Sequence, residues 1–169
     1  MQIDFIDLGP TPLSKLEVDV HFSGFGAILI EGGWGYSPED AVVVGIDPVA
    51  MDCPPGDPVP TANQCVDYVG FEYAFADFRL GKELFVPGRD AVYRDVEREV
   101  AMQGLVDLNG RKFDHLALDV HAVAVADYTA LIDHLTKEDE AGDAAFEEKY
   151  NGLKRSGQCD YWFDISAFF

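Results

Sequence analysis

The segment from Arg111 to Lys137 constrains the fold more than any other part of the chain. Within Lys112–Val125, apolar and polar residues alternate, and a period of two indicates a β-strand. One face of this strand carries Leu116, Leu118 and Val120. From Asp127 onward, the apolar residues follow helical spacing instead, and Asp is a favoured residue at a helix N-cap. The segment therefore predicts a strand that leads directly into a helix near residues 128–138.

Applied to the whole chain, the same periodicities predict an α+β fold with a mostly antiparallel sheet. Strand patterns dominate the first half and include residues 27–31, 41–46 and 71–80. We expect about seven to nine strands and about three helices, with the helices concentrated in the C-terminal half. The helices besides 128–138 are predicted near residues 90–106 and 143–154, where the apolar spacing lengthens to three and four.

A chain of 169 residues suits one globular domain spanning residues 1–169. The segment 47–64 interrupts it, since five of the nine prolines fall there without any periodic pattern. Proline lacks an amide donor and opposes both helix and ladder pairing. This Pro-rich loop is therefore expected to lack regular secondary structure and to be the most mobile internal segment.

Acidic residues outnumber basic ones by 31 to 12, which gives a net charge of −19. Residues 1–80 hold 13 acids and only two bases, a net charge of −11. Such a field repels nucleic acid and anionic membrane and attracts basic partners. Two other interpretations stay open: the charge serves solubility, or it belongs to a proteome adapted to high salt.

The location expected from the sequence is cytoplasmic. The chain shows neither a leader-like N-terminus nor an apolar stretch of the roughly 20 residues that a membrane span needs. Its three cysteines form no CxxC pair and are odd in number, which argues against a disulfide framework.

No motif in the sequence specifies a reaction, a cofactor or a metal site. The best local constellation is Asp119 with His121, because residues two apart on a strand project to the same side. His21 on another strand is the candidate for a third group. His115 projects to the same side of this strand, but it precedes Asp119 and is too far from the pair to join it.

Three functions are compatible with the sequence. The first is a small acidic binding protein for a basic partner, such as an inhibitor or immunity-type protein for a nuclease or toxin. Its candidate binding residues are Glu17, Asp19, Glu31, Glu39 and Asp40. The second is an enzyme, such as a metal-dependent hydrolase, whose pocket uses His121, Asp119 and His21. The third is a subunit of a larger complex, and the oligomeric state stays open.

Overall fold

The computed structural model describes five segments of the chain: residues 1–9, 21–47, 66–84, 93–138 and 143–169. Within them lie five strands and three α-helices. The strands are β1 (Ile28–Gly32), β2 (Val42–Ile46), β3 (Tyr93–Leu108), β4 (Arg111–Ala124) and β5 (Arg155–Asp164). The helices are α1 (Tyr68–Leu84), α2 (Val125–Glu138) and α3 (Asp143–Leu153).

The strands form one sheet in the order β1-β2-β5-β4-β3. β1 and β2 are antiparallel, whereas β2 and β5 are parallel, with Val42 opposite Phe163. β3 and β4 are joined by a two-residue turn in which Asn109 (φ 55°) and Gly110 (φ 82°) both have left-handed backbones. Such a turn matches the twist of a hairpin. The fold is thus α+β, as predicted, but the described residues contain five strands and not seven to nine.

Part of the excess comes from residues 71–80, which are predicted to be a strand and instead form most of α1. This helix begins beside Asp67, whose carboxylate accepts a hydrogen bond from Gly70 N at 2.9 Å. Its buried residues repeat at helical spacing: Phe71, Glu72, Phe75, Ala76, Arg79, Leu80, Glu83 and Leu84. Three of these eight are charged, so the apolar residues alone do not show the helical period. The alternating aromatic residues at 71, 73 and 75 imitate a strand instead.

The helix predicted near residues 90–106 is also wrong, because Tyr93–Leu108 form strand β3. This strand lies at one end of the strand order, and its inner face beyond Tyr93 is only half-buried, so its apolar residues do not alternate as they do on a strand with a fully buried face. Near its start Asp95 has a left-handed backbone (φ 49°), and the inner positions shift from the buried Tyr93 to the half-buried residues 94, 96 and 98. Because of this shift, two inner residues, Tyr93 and Val96, are three apart in the sequence, and this spacing resembles that of a helix.

The elements predicted at residues 27–31, 41–46, 111–137 and 143–154 agree with the structure to within a few residues. The strand and helix predicted from the segment 111–137 are β4 and α2, and residues 143–154 form α3. Asp127 lies in the first turn of α2 and not at its cap, since the helix begins at Val125. Its carboxylate instead accepts a hydrogen bond from Arg155 at 2.5 Å.

The chain groups into two compact units, each with its own buried residues. The first contains Met1–Asp7, Gly81–Ala101 and Leu118–Cys159; the second contains Leu8–Leu80, Met102–Ala117 and Asp160–Phe169. Buried residues of the first include Tyr93, Leu118, Val120 and Leu131. Buried residues of the second include Phe22, Trp34, Phe71, Phe75 and Phe163. The expectation of a single domain stays a prediction.

The Pro-rich loop, predicted to be irregular and mobile, falls outside the described residues, except for Asp47 at its start.

None of the helices in the described segments combines the length and apolar character that crossing a membrane would require.

Candidate functional site

A fully buried carboxyl group on α1 marks the candidate site. The Glu72 side chain has 0% of its surface exposed, although it is acidic. Gln103 on β3 covers it, with its Nε2 donating to Glu72 Oε2 at 3.4 Å and to Asp114 Oδ2 on β4 at 2.9 Å. The Tyr73 hydroxyl in turn donates to Gln103 Oε1 at 2.5 Å. All four residues belong to the second unit, and we refer to Glu72 and Asp114 as the carboxyl pair.

We expect Glu72 in this pair to be protonated at neutral pH. Burial, followed by the negative charge of Asp114 and a hydrogen bond to its carboxylate, raises the pKa of Glu72 from 4.5 to about 9. Two buried oxygens of the pair, Glu72 Oε1 and Asp114 Oδ1, have no hydrogen-bond donor among the described residues. A proton on Glu72 allows its carboxyl group to donate a hydrogen bond to Asp114. This one proton removes the repulsion between the two carboxylates and pairs their two facing oxygens.

Chemically, the carboxyl pair combines a proton donor with a proton acceptor. A carboxyl group whose pKa is raised by burial, as that of Glu72 is, is a common feature of acid–base sites. Gln103 is exposed and Asp114 is half-buried, so the pair lies directly beneath the surface. The arrangement suits proton transfer.

A histidine–carboxylate contact lies on the opposite face of β4. His115 Nε2 is 2.8 Å from Asp160 Oδ1, and the imidazole stacks on Trp162 at 4.0 Å between ring centroids. The rings are nearly parallel, at 8°. Trp162 and Asp160 therefore fix both the plane and one nitrogen of His115.

The residues that the sequence suggests for catalysis each contact a different partner. Asp119 accepts a hydrogen bond from Gln158 at 3.1 Å, and His121 Nδ1 lies 3.0 Å from Ser156 Oγ. These contacts link β4 to β5 in the first unit. His21, in the second unit, packs its ring against Phe78 at 4.5 Å. In the segments that the structure describes, no three His, Cys, Asp or Glu side chains are grouped as metal ligands.

The acidic residues suggested for binding differ in their surroundings. Glu31 on β1 and Glu39 in a short 3₁₀ turn are exposed. Asp40 is half-buried, and its Oδ2 accepts hydrogen bonds from the backbone N–H groups of Trp34 (3.1 Å) and Tyr36 (3.3 Å). The carboxylate of Asp40 thus stabilises a loop. The remaining two, Glu17 and Asp19, lie outside the described residues.

Replacing Asp40→Ala is expected to lower the free energy of unfolding by about 1–3 kcal/mol, because two backbone donors lose a charged acceptor. The adjacent Glu39→Ala is a matched control that removes an exposed carboxylate, with an expected change within about 0.5 kcal/mol. Urea unfolding measures both. Equal changes for the two variants would contradict a structural role for Asp40.

The sequence alone does not reveal the carboxyl pair, because its pattern places Glu72 on a strand. A helix over 68–84 puts Glu72 next to Phe71 and Phe75 on the buried side, where an unexplained acid is a functional signal. Nothing in the sequence connects Asp114 or Gln103 to it.

Comparison with known proteins identifies no relative. No protein-family model matches the chain, no curated protein is significantly similar to it, and no solved structure matches its fold.

Proposed function

We propose that the protein binds a basic macromolecular partner through an acidic surface, as a small inhibitor or immunity-type protein does with a nuclease or toxin. The observation that carries this proposal is the net charge of −19, with only two bases among the first 80 residues. Charge left uncompensated on a folded chain destabilises it through self-repulsion. A binding role gives that charge a use, and the cytoplasmic location expected from the cysteines belongs to the same proposal.

The acidic surface is proposed to consist of Glu17, Asp19, Glu31 and Glu39, with Asp40 holding the adjacent loop. The exposure of Glu31 and Glu39 supports their part in it. Exposed acids of one sign accelerate the encounter with a basic surface and disfavour nucleic acid as a partner. Their effect falls when the Debye length shrinks to roughly 10 Å at 0.1 M salt.

Identification of the partner comes first, by affinity capture from native lysate and mass spectrometry. The association rate of the purified pair is then expected to fall steeply with ionic strength. The capture also separates a binary complex from a subunit role, since a subunit would copurify with a fixed set of several proteins.

Reversing charge at the exposed positions, with Glu31→Lys and Glu39→Lys together, is expected to slow association about tenfold at low salt, because steering depends on these charges. Stopped-flow mixing measures the rate, and urea unfolding checks that the variant is folded. Glu17→Lys with Asp19→Lys is expected to act in the same direction.

The matched control, Asp133→Lys with Glu147→Lys, changes net charge equally at exposed positions of α2 and α3. It is expected to slow association less. The proposal would be contradicted if the association rate changed neither with salt nor with the charge reversals. It would also be contradicted if the control variant slowed association as much as Glu31→Lys with Glu39→Lys.

An acid–base enzyme is the second candidate function, and the carboxyl pair is the observation that favours it. Glu72 would donate a proton and Asp114 would accept one. If the purified protein turns over a substrate, Glu72→Gln should abolish that activity. Loss of activity in His121→Ala, with Glu72→Gln unaffected, would assign catalysis to the Asp119–His121 region instead.

A further inference from the structure

We propose that a cavity between helices α2 and α3 binds a small organic carboxylate with an alkyl chain, such as a medium-chain fatty acid. The cavity lies within the first unit and has a volume of about 500 Å³. Pockets for small ligands usually measure about 300–1,000 Å³ and combine apolar walls with a few polar groups. This inference does not depend on a basic partner, since the ligand is small and anionic.

Apolar side chains from both helices line the cavity. Leu131 of α2 is only 8% exposed and Leu153 of α3 is half-buried, and Ala130 lies beside them. These side chains form no hydrogen bonds, so a ligand gains from them by burying its own apolar surface. An alkyl chain therefore suits this lining better than a sugar, whose hydroxyl groups would lose their hydrogen bonds to water.

Lys149 of α3 adds a positive charge to the lining. Its side chain is exposed and makes neither a hydrogen bond nor an ion pair with the residues that the structure describes. Other basic side chains differ, because a carboxylate binds each of Arg94, Arg111, Lys112, Lys154 and Arg155. In a chain with 31 acids and 12 bases, an ammonium group beside a cavity is thus left available for the anion of a ligand.

The acid in the described lining, Asp127, does not cancel the charge of Lys149. Asp127 Oδ2 accepts a hydrogen bond from Arg155 Nη2 at 2.5 Å, and the two charges of this pair compensate each other. The net charge of −19 belongs to the whole chain, and its distant members act weakly here because the Debye length is about 8 Å at 0.15 M salt. The local balance favours an anion, and the imidazole of His134 adds a group that can donate a hydrogen bond to a carboxylate.

Gly152 keeps this cavity open. It lies inside α3, where glycine destabilises a helix relative to alanine. Its backbone is not left-handed, and a Cβ there would meet no other part of the described chain within 4 Å. Neither the backbone conformation nor close packing requires glycine at this position. Space for a ligand gives the glycine a use.

Titration with octanoate in 0.15 M NaCl at pH 7, followed by ¹H–¹⁵N NMR, tests the proposal. Saturable shifts are expected at the amides of Leu131, Lys149 and Gly152, with a dissociation constant at or below the order of 1 mM. Octylammonium has the same chain length and the opposite charge. It is expected to bind in this cavity at least about tenfold more weakly, because the ammonium group of Lys149 repels it.

Two variants separate the charge from the space. Lys149→Met keeps the length of the side chain and is expected to raise the dissociation constant of octanoate about tenfold. Gly152→Leu adds a side chain in open space, so it should fold, as urea unfolding checks, and exclude octanoate. Lys154→Met, which removes the same charge just beyond α3 and outside the described lining, is the matched control and should bind octanoate as the wild type does.

The proposal would be overturned if octanoate showed no saturable binding up to about 10 mM, well above the expected dissociation constant. Equal binding of octylammonium in the cavity would also overturn it, as would unchanged octanoate binding by Lys149→Met or Gly152→Leu. If Lys154→Met weakened octanoate binding as much as Lys149→Met does, the effect would come from net charge, and the assignment to Lys149 would be wrong.

Discussion

Glu72→Gln is expected to stabilise the protein relative to the wild type by an amount that grows with pH, by up to about 1.4 kcal/mol per pH unit between pH 5 and about 9. The variant keeps a hydrogen-bond donor toward Asp114 but has no proton to lose. Near pH 5 the two proteins should differ little. By pH 8 the difference is expected to reach several kcal/mol, which is large against the stability of a domain.

The sign follows from the two protonation states of Glu72. Burial and the charge of Asp114 raise the pKa of Glu72 in the folded protein from 4.5 to about 9. Between these values the folded chain holds a proton that the unfolded chain releases, so unfolding becomes more favourable as pH rises. The contribution is fully present below pH 4.5 and is lost progressively up to about pH 9.

Urea unfolding of both proteins from pH 5 to 9.5, in the presence of EDTA, measures the effect. Comparing the two proteins cancels the titration of the other acids. Glu99→Gln controls for the loss of an exposed carboxylate and should follow the wild type at every pH. A constant difference between Glu72→Gln and the wild type would show that Glu72 is ionised in the folded protein.

Arg79→Met is expected to lower the free energy of unfolding by about 3–5 kcal/mol, the usual result of breaking a buried polar network. Arg79 on α1 is only 2% exposed. Its Nη1 donates to the backbone oxygens of Trp34 and Asp160, both at 3.0 Å. Its guanidinium also lies 3.8 Å from the ring centroid of Tyr36 and 4.4 Å from that of Tyr161.

Removal of the guanidinium leaves two backbone acceptors without this donor and separates both rings from a cation. Arg79→Lys should also be strongly destabilising, because an ammonium group cannot form the planar fork between two rings. Lys149→Met, which removes an exposed positive charge from α3, is the control and should change stability by less than about 0.5 kcal/mol. If chemical unfolding shows that Arg79→Met lowers the free energy of unfolding no more than Lys149→Met does, the structural role of Arg79 is contradicted.

The fold could be predicted from the sequence where burial follows hydrophobicity. β4 alternates and α2 repeats at helical spacing because each presents one apolar face to buried residues, and both are predicted correctly. The prediction fails at α1, since Glu72, Arg79 and Glu83 occupy buried positions that apolar residues normally fill. It fails at β3 for a different reason, because beyond Tyr93 that strand is at most half-buried and its apolar residues do not alternate along it.

The wrong prediction of a strand at residues 71–80 also conceals the candidate site. The sequence points to histidines and exposed acids for chemistry, whereas the most perturbed acid lies among the buried residues of a helix whose pattern resembles a strand. Sequence rules assume that buried residues are apolar. They are expected to fail at functional sites, where polar residues can be buried. The meeting of Glu72, Gln103 and Asp114 depends on the packing of α1 against the sheet, which no local pattern encodes.

The ionisation of Glu72 is the most direct test, because the pH-dependent stability and the acid–base role both depend on it. Carbon-13 NMR of glutamate side-chain carboxyl groups, recorded from pH 4 to 10 in EDTA, reports it without unfolding the protein. One resonance, absent from Glu72→Gln, is predicted to stay protonated at pH 7 and to titrate near pH 9. If every glutamate resonance instead titrates near pH 4.5, the carboxyl pair does not hold a proton at neutral pH, and both roles of Glu72 are contradicted.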